Sequence, residues 1–463
     1  MSVVLISTYD LGRQPFGLAS PAAWLREAGI DVTCVDVSRS RLPQDAVRRA
    51  TLIGFFLPMH TATRLALPVI DRVRRLNPEV KLVAYGLYAP LNEQLLRERG
   101  VHEVLGGEFE EELLNVARAS NTSAQDAGPL ESAASPDTRK STWQIEHLPR
   151  LAFKAPARDG LPPLARYAAL QFGSERRIVG YTEASRGCKH RCRHCPIVPV
   201  YDGRFRIVSP DVVMADIAAQ VASGATHITF GDPDFFNGIK HSHAVLERFG
   251  REFPGISYDV TIKIEHLLQH ADTLPLLRDS GCAFVTSAVE AVDDRVLELL
   301  EKGHTRADFE RAVALCDAAG LTIAPTFVAF TPWTTVGSYL EFLRSIDALG
   351  LVEHVAPIQL AIRLLVTSRS RLLDLDDVRR IVRPFDPVSL TYPWAHPDPS
   401  VDALHDTVSR IVGVRLNAPR ADVFSRVWDA AHLHARLEAP PRRDLPVLPS
   451  RATVPYLTEP WYC

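Results

Sequence analysis

The amino-acid sequence predicts an α/β fold: an N-terminal doubly wound (Rossmann-like) domain, then a partial (β/α)6 barrel of the TIM type, then a C-terminal extension. Three observations predict this fold. Short apolar runs alternate with amphipathic stretches over residues 1–118, a strongly polar segment follows, and six further strand-like runs begin near residue 178. The chain of 463 residues is long enough for two or three domains.

The first 118 residues show the repeating pattern of a doubly wound sheet. The strand-like runs VVLIS, DVTCVDV, TLIGFFL, KLVAYG and EVLGG alternate with helical stretches such as ATRLALPVIDRVRRLNP. This alternation predicts parallel strands with helices on both faces. Residues 119–142 are rich in Ser, Ala, Asp and Pro with almost no large apolar side chains, so we expect a disordered linker there.

A second strand-helix series follows an adaptor at residues 143–177. Its strand-like runs are IVGYTEAS, HITFGDPDF, YDVTIKIE, AFVTSAVE, TIAPTFVAF and VAPIQLAIRLL. Six units are two short of a closed barrel, so we expect an open barrel over residues 178–385 with its chemistry at the carboxyl ends of the strands. Residues 386–463 include helical stretches and the proline-rich LEAPPRRDLPVLPS. We expect a lid or tail there rather than another domain.

Composition excludes several partners. The net charge of -3 gives no basic field for phosphate backbones. No apolar run approaches the roughly 18 to 20 residues of a membrane span, and the opening MSVVLISTYD lacks a signal-peptide pattern. We therefore expect a cytoplasmic protein that binds neither nucleic acid nor membrane.

Three of the seven cysteines, Cys188, Cys192 and Cys195, lie in SRGCKHRCRHCPIV with the spacing C-x3-C-x2-C, directly after the first strand of the second series. Three thiolates on one short loop suit an iron-sulfur cluster or zinc. In a 4Fe-4S cube they leave one iron open to a small molecule. The alternative is zinc with His190 or His194 as fourth ligand. Most zinc sites have a second pair of ligands further along the chain, and no such pair follows Cys195 in this sequence.

This motif and its position resemble the radical S-adenosylmethionine (SAM) superfamily, and the resemblance covers roughly Ile178 to Leu365. It implies an enzyme with a 4Fe-4S cluster and S-adenosylmethionine as cofactors, which cleaves the sulfonium reductively to form a carbon radical. It also implies an electron donor such as a flavodoxin or ferredoxin, and an unknown small-molecule or peptide substrate.

The same resemblance assigns side chains to S-adenosylmethionine. GDPDFFN stands where the family has a Gly-Gly-Glu type turn, SAVE where a carboxylate reaches the ribose, and TFVAFTPWTT where an adenine-binding turn lies. Two alternatives stay open: Asp-Pro-Asp as a helix-capping turn, and Lys263 with Glu265 as a structural ion pair. The candidate residues are His194, Gly231, Asp232, Asp234, Lys263, Glu290, Thr331 and Arg363.

The N-terminal domain resembles the cobalamin-binding domain that precedes many radical SAM enzymes. The D-x-H-x-x-G motif that supplies a cobalt ligand in one class of such domains is absent. Tyr9, Leu57, Met59 and His60 lie at or after strand ends and form the candidate cobalamin pocket. Two interpretations stay open, a cobalamin-dependent methyltransferase and a vestigial docking domain.

The ending PYLTEPWYC resembles the radical SAM (seleno)protein group with a CUAEP or CCAEP tail, stopping at the first residue of that tail. One hypothesis is truncation at a selenocysteine codon after Cys463, which would then be a redox thiol. Two further functions stay open: a non-enzymatic Fe-S or zinc binding module, and a thiol or selenol redox protein centred on this tail.

Overall fold

The computed structural model describes residues 2–125, 148–440 and 451–459. The strands of its N-terminal part are β1 (Ser2–Ser7), β2 (Asp31–Asp36), β3 (Leu52–Phe56), β4 (Lys81–Tyr85) and β5 (Glu103–Leu105). The helices are α1 (Phe16–Glu27), α2 (Gln44–Arg49), α3 (His60–Leu76), α4 (Glu93–Glu98) and α5 (Glu110–Gln125). All five strands are parallel in the order β2-β1-β3-β4-β5. This confirms the doubly wound sheet and places its topological switch point between β1 and β3.

The second part is built on a curled, largely parallel sheet. Its strands are β6 (Ala169–Phe172), β7 (Glu175–Thr182), β8 (Ser185–Gly187), β9 (Phe205–Ile207), β10 (His227–Phe230), β11 (Ser257–Thr261), β12 (Cys282–Glu290), β13 (Ile323–Phe327) and β14 (Tyr456–Leu457). Seven of them pair in the order β13-β12-β11-β10-β7-β6-β14, and β8 pairs separately with β9. The run from β7 to β13 is parallel. The partial barrel is therefore confirmed.

Helices cover this sheet and continue into the C-terminal part. They are α6 (Val198–Tyr201), α7 (Pro210–Ala222), α8 (Ile239–Glu252), α9 (Ile264–Gln269), α10 (Leu274–Asp279), α11 (Asp294–Leu299), α12 (Arg306–Ala318), α13 (Val336–Ala348), α14 (Asp376–Ile381), α15 (Pro399–Gly413) and α16 (Arg420–His434). Helix α7 has Pro at its first position and Gly224 after its end, at φ +96°, as expected for a helix that stops in a left-handed turn.

The sixth predicted barrel strand is not formed. Within VAPIQLAIRLL, Pro357–Leu360 is a 3-10 turn, and only the isolated bridge between Phe330 and Arg363 continues the sheet. Pro357 lacks the N–H that a ladder needs and opens the helical turn instead. A short apolar run does not distinguish a buried strand from a buried helical turn, which is why the sequence pattern misled here.

The ends of the predicted segments also differ from the structure. Helix α5 runs to Gln125, beyond the expected domain boundary at residue 118, and residues 126–142 of the predicted linker lie outside the described ranges. In the C-terminal extension, α15 and α16 share the barrel's hydrophobic cluster, and β14 pairs antiparallel with β6. The extension therefore completes the barrel unit instead of forming a detached tail. Cys463 lies outside the described residues.

A buried guanidinium joins the two parts of the chain. Arg186 lies on β8 and donates to Glu108 at 3.2 Å and to Glu110 at 2.7 Å, both from the N-terminal domain. It also donates to Glu183 at 2.7 Å. One cation does not balance three carboxylates, and burial raises the pKa of Glu108 to about 7 and also raises the pKa of Glu183. The joint is therefore held by one guanidinium that is shared among three carboxyl groups, and burial favours the protonated form of Glu108 and Glu183.

Replacing Arg186 by Met should loosen this joint. Removing one partner of a buried ion pair leaves carboxylates without compensation, so we expect the free energy of unfolding to fall by about 3 to 5 kcal/mol. Urea denaturation of the anaerobically purified protein measures it. The control is Arg311→Met, which removes an exposed pair with Asp308 and should change the value by about 0.5 kcal/mol or less. Equal effects of the two substitutions would contradict the role of Arg186.

Candidate active site

The cysteine loop lies between the two strands of a short hairpin at the carboxyl end of β7. Strands β8 and β9 pair antiparallel and enclose residues 188–204. Gly187, just before the first cysteine, has φ +75°, and a Cβ there would lie 2.4 Å from the Tyr201 ring. Only glycine fits this position. The loop is thus held against a buried tyrosine at its first residue.

Residues after β10 anchor the loop. Both oxygens of Asp232 are used: they accept from the Ser185 hydroxyl at 2.5 Å and from the Ala184 amide at 3.0 Å. Burial raises the pKa of Asp232 to about 7. The Asn237 side-chain oxygen accepts from the Lys189 amide at 3.2 Å. Asp232 therefore fixes the strand that leads into the loop. Its contact with S-adenosylmethionine stays a prediction.

The three thiols are soft ligands of the kind that iron-sulfur clusters and zinc both accept. Cys192 is buried, and burial raises the pKa of Cys188 to about 11 and raises that of Cys195 further, with added repulsion between the sulfurs. Burial therefore favours the protonated thiols of Cys188 and Cys195 unless a metal replaces the protons. Of the two candidate fourth ligands for zinc, His190 contacts Asp234 and His266. His194 is bonded to Glu290 through Nε2, while its buried Nδ1 makes no hydrogen bond with the described residues.

Glu290 ends β12 and ties the loop to the strand beside it. Its Oε1 accepts from His194 Nε2 at 3.1 Å and from Lys302 Nζ at 3.3 Å. Burial alone would raise the pKa of Glu290, but Lys302 and His194 outweigh it and lower the pKa to about 2. Glu290 also adopts φ +72°, a strained conformation for a residue with a Cβ. In this conformation the carboxylate faces the cysteine loop, where it accepts from His194.

Other predicted residues share this barrel mouth. Lys263 follows β11, is buried, and donates from Nζ to Glu265 at 3.3 Å, so the predicted ion pair is present. Asp234 caps the next turn through the Phe236 amide at 3.3 Å, as the capping alternative predicts. Gly231 is required because a Cβ there would lie 1.8 Å from the Tyr181 hydroxyl.

Two predicted residues are engaged outside this group. The Arg363 guanidinium donates to Asp402 at 2.7 Å and to the Trp394 carbonyl at 3.0 Å, and it lies 3.7 Å from the centroid of the Trp394 ring. Thr331 is buried and bonded to the Thr334 hydroxyl at 3.0 Å. A contact of either residue with S-adenosylmethionine stays a prediction.

The four residues of the predicted cobalamin pocket follow β1 and β3, at the switch point of the N-terminal sheet. Ligands of doubly wound sheets bind at such a point. Leu57 and Met59 share a hydrophobic cluster with Tyr9 and with Tyr201, which follows the cysteines. The His60 Nε2 lies 2.6 Å from the Ser389 carbonyl oxygen. This contact uses Nε2 of His60, so a cobalt ligand from His60 would have to be Nδ1.

The sequence analysis missed two polar residues of the barrel mouth, Lys302 and His304. Lys302 is paired with Glu290, and burial together with Lys302 and Lys263 lowers the pKa of His304 to about 4. The buried His304 ring contacts the Val289 backbone, but neither ring nitrogen makes a hydrogen bond of normal geometry with the described residues. Both residues lie in EKGHT, only twelve to fourteen positions after Glu290. Their nearness in sequence to a strand-end carboxylate was the available signal.

The family comparison agrees with this geometry. Residues 182–334 match the family model of the Radical SAM superfamily. This part of the chain is therefore a radical SAM domain, a fold that implies a 4Fe-4S cluster and S-adenosylmethionine as cofactors. The match covers the cysteine loop, β10 to β13 and the helices between them.

Curated relatives match over a limited length. A tRNA-2-methylthio-N(6)-dimethylallyladenosine synthase from Chlorobaculum tepidum is 25% identical over 194 residues, which is 40% of this chain and 43% of the relative. The ribosomal protein uS12 methylthiotransferase RimO from Desulfosudis oleivorans is 27% identical over 169 residues, 34% of this chain and 38% of the relative. The chain thus spans about two fifths of the length of these relatives.

Solved structures resemble a larger share of the chain. The radical S-adenosylmethionine methyltransferase TsrM from Kitasatospora setae, with cobalamin and a [4Fe-4S] cluster bound, has TM-score 0.59 and 17% identity over 75% of this chain and 70% of its own. The cobalamin-dependent S-adenosylmethionine radical enzyme OxsB has TM-score 0.68 and 12% identity over 89% of this chain and 67% of its own. At these identities the likeness establishes the fold. Within the described residues, no helix is long and apolar enough to span a membrane.

Glu290→Gln should destabilise the protein by an amount that depends on pH, because the stabilising effect comes from the charged form of Glu290. Because the pKa of Glu290 is lowered from 4.5 to about 2, its stabilising effect is present above pH 4.5 and is lost as the pH falls towards 2. We expect the substitution to lower the free energy of unfolding of cluster-free protein by about 3 kcal/mol at pH 7 and by about 1 kcal/mol near pH 3. Urea denaturation across this range measures both. Exposed Glu298→Gln is the control, and parallel pH profiles of the two variants would refute the assignment.

Proposed function

We propose that this protein is a radical SAM enzyme that cleaves S-adenosylmethionine reductively at a 4Fe-4S cluster held by Cys188, Cys192 and Cys195. The observation that carries the proposal is the set of three thiols in one loop at the barrel mouth, within the residues that match the Radical SAM superfamily model. When bound, the cluster supplies one electron to the sulfonium and offers an open iron to the amino and carboxylate groups of S-adenosylmethionine.

The side chains of the chain position the reactants. Asp232 accepts from Ser185 just before the cysteine loop, and Asn237 accepts from the Lys189 amide at its start. Glu290 fixes His194 within the loop. Lys302 remains charged since Glu290 and the thiols Cys192 and Cys195 raise its pKa against the effect of burial. A buried ammonium beside the sulfurs offsets the negative charge of a thiolate-bound cluster. An electron donor such as a flavodoxin or ferredoxin would supply the reductant.

Buried polar groups without complete pairing are candidates for substrate contact. His304 is neutral at neutral pH because its pKa is about 4, and among the described residues its ring has only a contact with the Val289 backbone that falls short of normal hydrogen-bond geometry. Such a group either accepts or donates one hydrogen bond to a ligand. We therefore assign a contact with the substrate or with the ribose of S-adenosylmethionine to His304, which has Lys263 and Glu290 as charged neighbours. The substrate's class is a small molecule or a peptide.

Replacing Cys188, Cys192 and Cys195 together by Ala should abolish both the cluster and the reaction. Without thiolates, the loop offers no soft ligand for iron. After anaerobic reconstitution we expect loss of bound iron and sulfide and at least about a hundredfold less 5'-deoxyadenosine under a strong reductant. Chromatography of the products of S-adenosylmethionine measures the second effect. Cys282→Ala, outside the loop, should retain both. Product formation by the triple variant would overturn the proposal and favour a redox protein centred on Cys463.

Cobalamin-assisted methyl transfer is the second candidate function. The observation that favours it is the position of Tyr9, Leu57 and Met59 at the switch point, in one hydrophobic cluster with Tyr201 of the cysteine loop. These apolar side chains would contact the corrin, and a ligand to cobalt from His60 would have to be Nδ1, because Nε2 contacts the Ser389 carbonyl.

Corrinoid content tests the second candidate. Protein produced with a supply of cobalamin and purified anaerobically should hold about one corrinoid per chain and form S-adenosylhomocysteine with a methylated product if methyl transfer is the reaction. Replacing Leu57 by Trp should then lower corrinoid content, because the buried site has no room for the larger ring. Corrinoid-free protein that still makes 5'-deoxyadenosine would exclude methyl transfer and leave the first proposal intact.

A further inference from the structure

Two imidazoles and a carboxylate from three separate segments converge beside the cysteine loop. His190 comes from the loop itself, Asp234 follows β10, and His266 lies on α9. Their ligand atoms all lie within 4.8 Å of one another. In the part of the chain that the structure describes, this is the one such group of three or more His, Cys, Asp or Glu side chains.

The inner pair of this group is buried and lacks an ordinary hydrogen bond. Asp234 Oδ2 and His266 Nδ1 lie 2.6 Å apart, and neither side chain is exposed to solvent. The ring N–H direction does not point at the oxygen, so neither atom forms a hydrogen bond of normal geometry with any described residue. A buried polar atom without a partner costs about 1 to 3 kcal/mol. A cation bound by His266 Nδ1 and Asp234 Oδ2 would give both of these buried atoms a partner.

The third member of the group, His190, lies close to both of the others. His190 Nε2 lies 3.6 Å from Asp234 Oδ2 and 3.4 Å from His266 Nε2. Two ligand atoms of one tetrahedral zinc ion lie about 3.3 Å apart, so His190 Nε2 and Asp234 Oδ2 are spaced for a shared ion, with Nδ1 as the ligand atom of His266. The contact between the two Nε2 atoms is a hydrogen bond in one tautomer, and an ion bound at His190 Nε2 would replace it.

The charges around the group permit a divalent cation. The nearest other charged residues are Lys263 and Glu265, which are paired with each other at 3.3 Å. Glu265 Oε2 also lies 3.7 Å from His190 Nδ1, on the other side of the imidazole ring. A carboxylate at the second nitrogen of a histidine orients the ring and strengthens it as a ligand. Lys263 is therefore compensated, and Asp234 remains to neutralise a bound ion.

We propose that His190, Asp234 and His266 bind one divalent transition-metal ion, zinc or ferrous iron, at a site separate from the iron-sulfur cluster. Two histidines and one carboxylate are a ligand set that both ions accept. Three protein ligands leave at least one coordination position for a small molecule at the barrel mouth. The ion would sit between the cysteine loop and α9, and would fix the loop from the side opposite to Glu290.

The test is metal analysis of the protein with its cluster in place. Anaerobically reconstituted protein is desalted, given one equivalent of zinc, desalted again and analysed for iron, sulfide and zinc. We expect about four sulfides per chain from the cluster and about one zinc. His266→Asn and Asp234→Asn should each lower zinc content at least about tenfold while sulfide stays unchanged. His270→Asn is the matched control, since its ring lies 6.0 Å from that of His266 and outside the group.

X-ray absorption at the zinc edge identifies the ligands without relying on any variant. Nitrogen and oxygen ligands at about 2.0 to 2.1 Å support the proposal, whereas a sulfur shell near 2.3 Å would assign the ion to the cysteines and overturn it. Wild-type protein that holds four sulfides but no zinc and no iron beyond the cluster would also overturn it, leaving a shared proton between the imidazoles. These measurements do not depend on the cleavage of S-adenosylmethionine, so they stand or fall separately from the proposed function.

Discussion

The Arg186 guanidinium connects the fold to the chemistry. It lies two positions before Cys188, and its nitrogens are divided between Glu183 of its own barrel and Glu108 and Glu110 of the N-terminal domain. A buried cation is stable only while its partners stay in place. The path of β8, and with it the start of the cysteine loop, therefore depends on contacts that the barrel alone does not supply. The N-terminal domain is in this sense part of the active site, whatever it binds.

Around the barrel mouth, too, buried charged side chains are paired with partners of opposite charge. Glu290 compensates Lys302, and Glu265 compensates Lys263, while Asp232 is used entirely by the hydroxyl and amide that it accepts from. Because buried ions are costly without partners, each of these pairs fixes the distance between two segments. The cysteine loop is held at Cys188 by residues that follow β10 and at His194 by a residue that ends β12. Its sulfurs are thereby oriented before any metal is bound.

Local and periodic features of the sequence predicted the parallel sheets, the loop spacing and the order of the domains. Long-range pairings escaped prediction because no local pattern encodes them. The contacts of Arg186 with Glu108 and Glu110, and of Asp234 with His266, join segments that only the folded chain brings together. The sixth strand failed for a different reason. Its apolar run is buried as expected, but Pro357 removes a ladder donor, so burial alone did not determine its conformation.

The cysteine loop carries two kinds of metal ligand, sulfur and imidazole. This difference keeps the two proposed metal sites distinct. Sulfur ligands at residues 188, 192 and 195 select iron-sulfur chemistry, whereas the imidazole of His190 turns towards α9 and a carboxylate. If His190 were free to rotate, it would compete as a fourth ligand for the open iron. The contacts with Asp234, Glu265 and His266 withdraw it from that role. A metal ion at this second group would make the withdrawal stronger, and would thus protect the open coordination position on which the chemistry of S-adenosylmethionine depends.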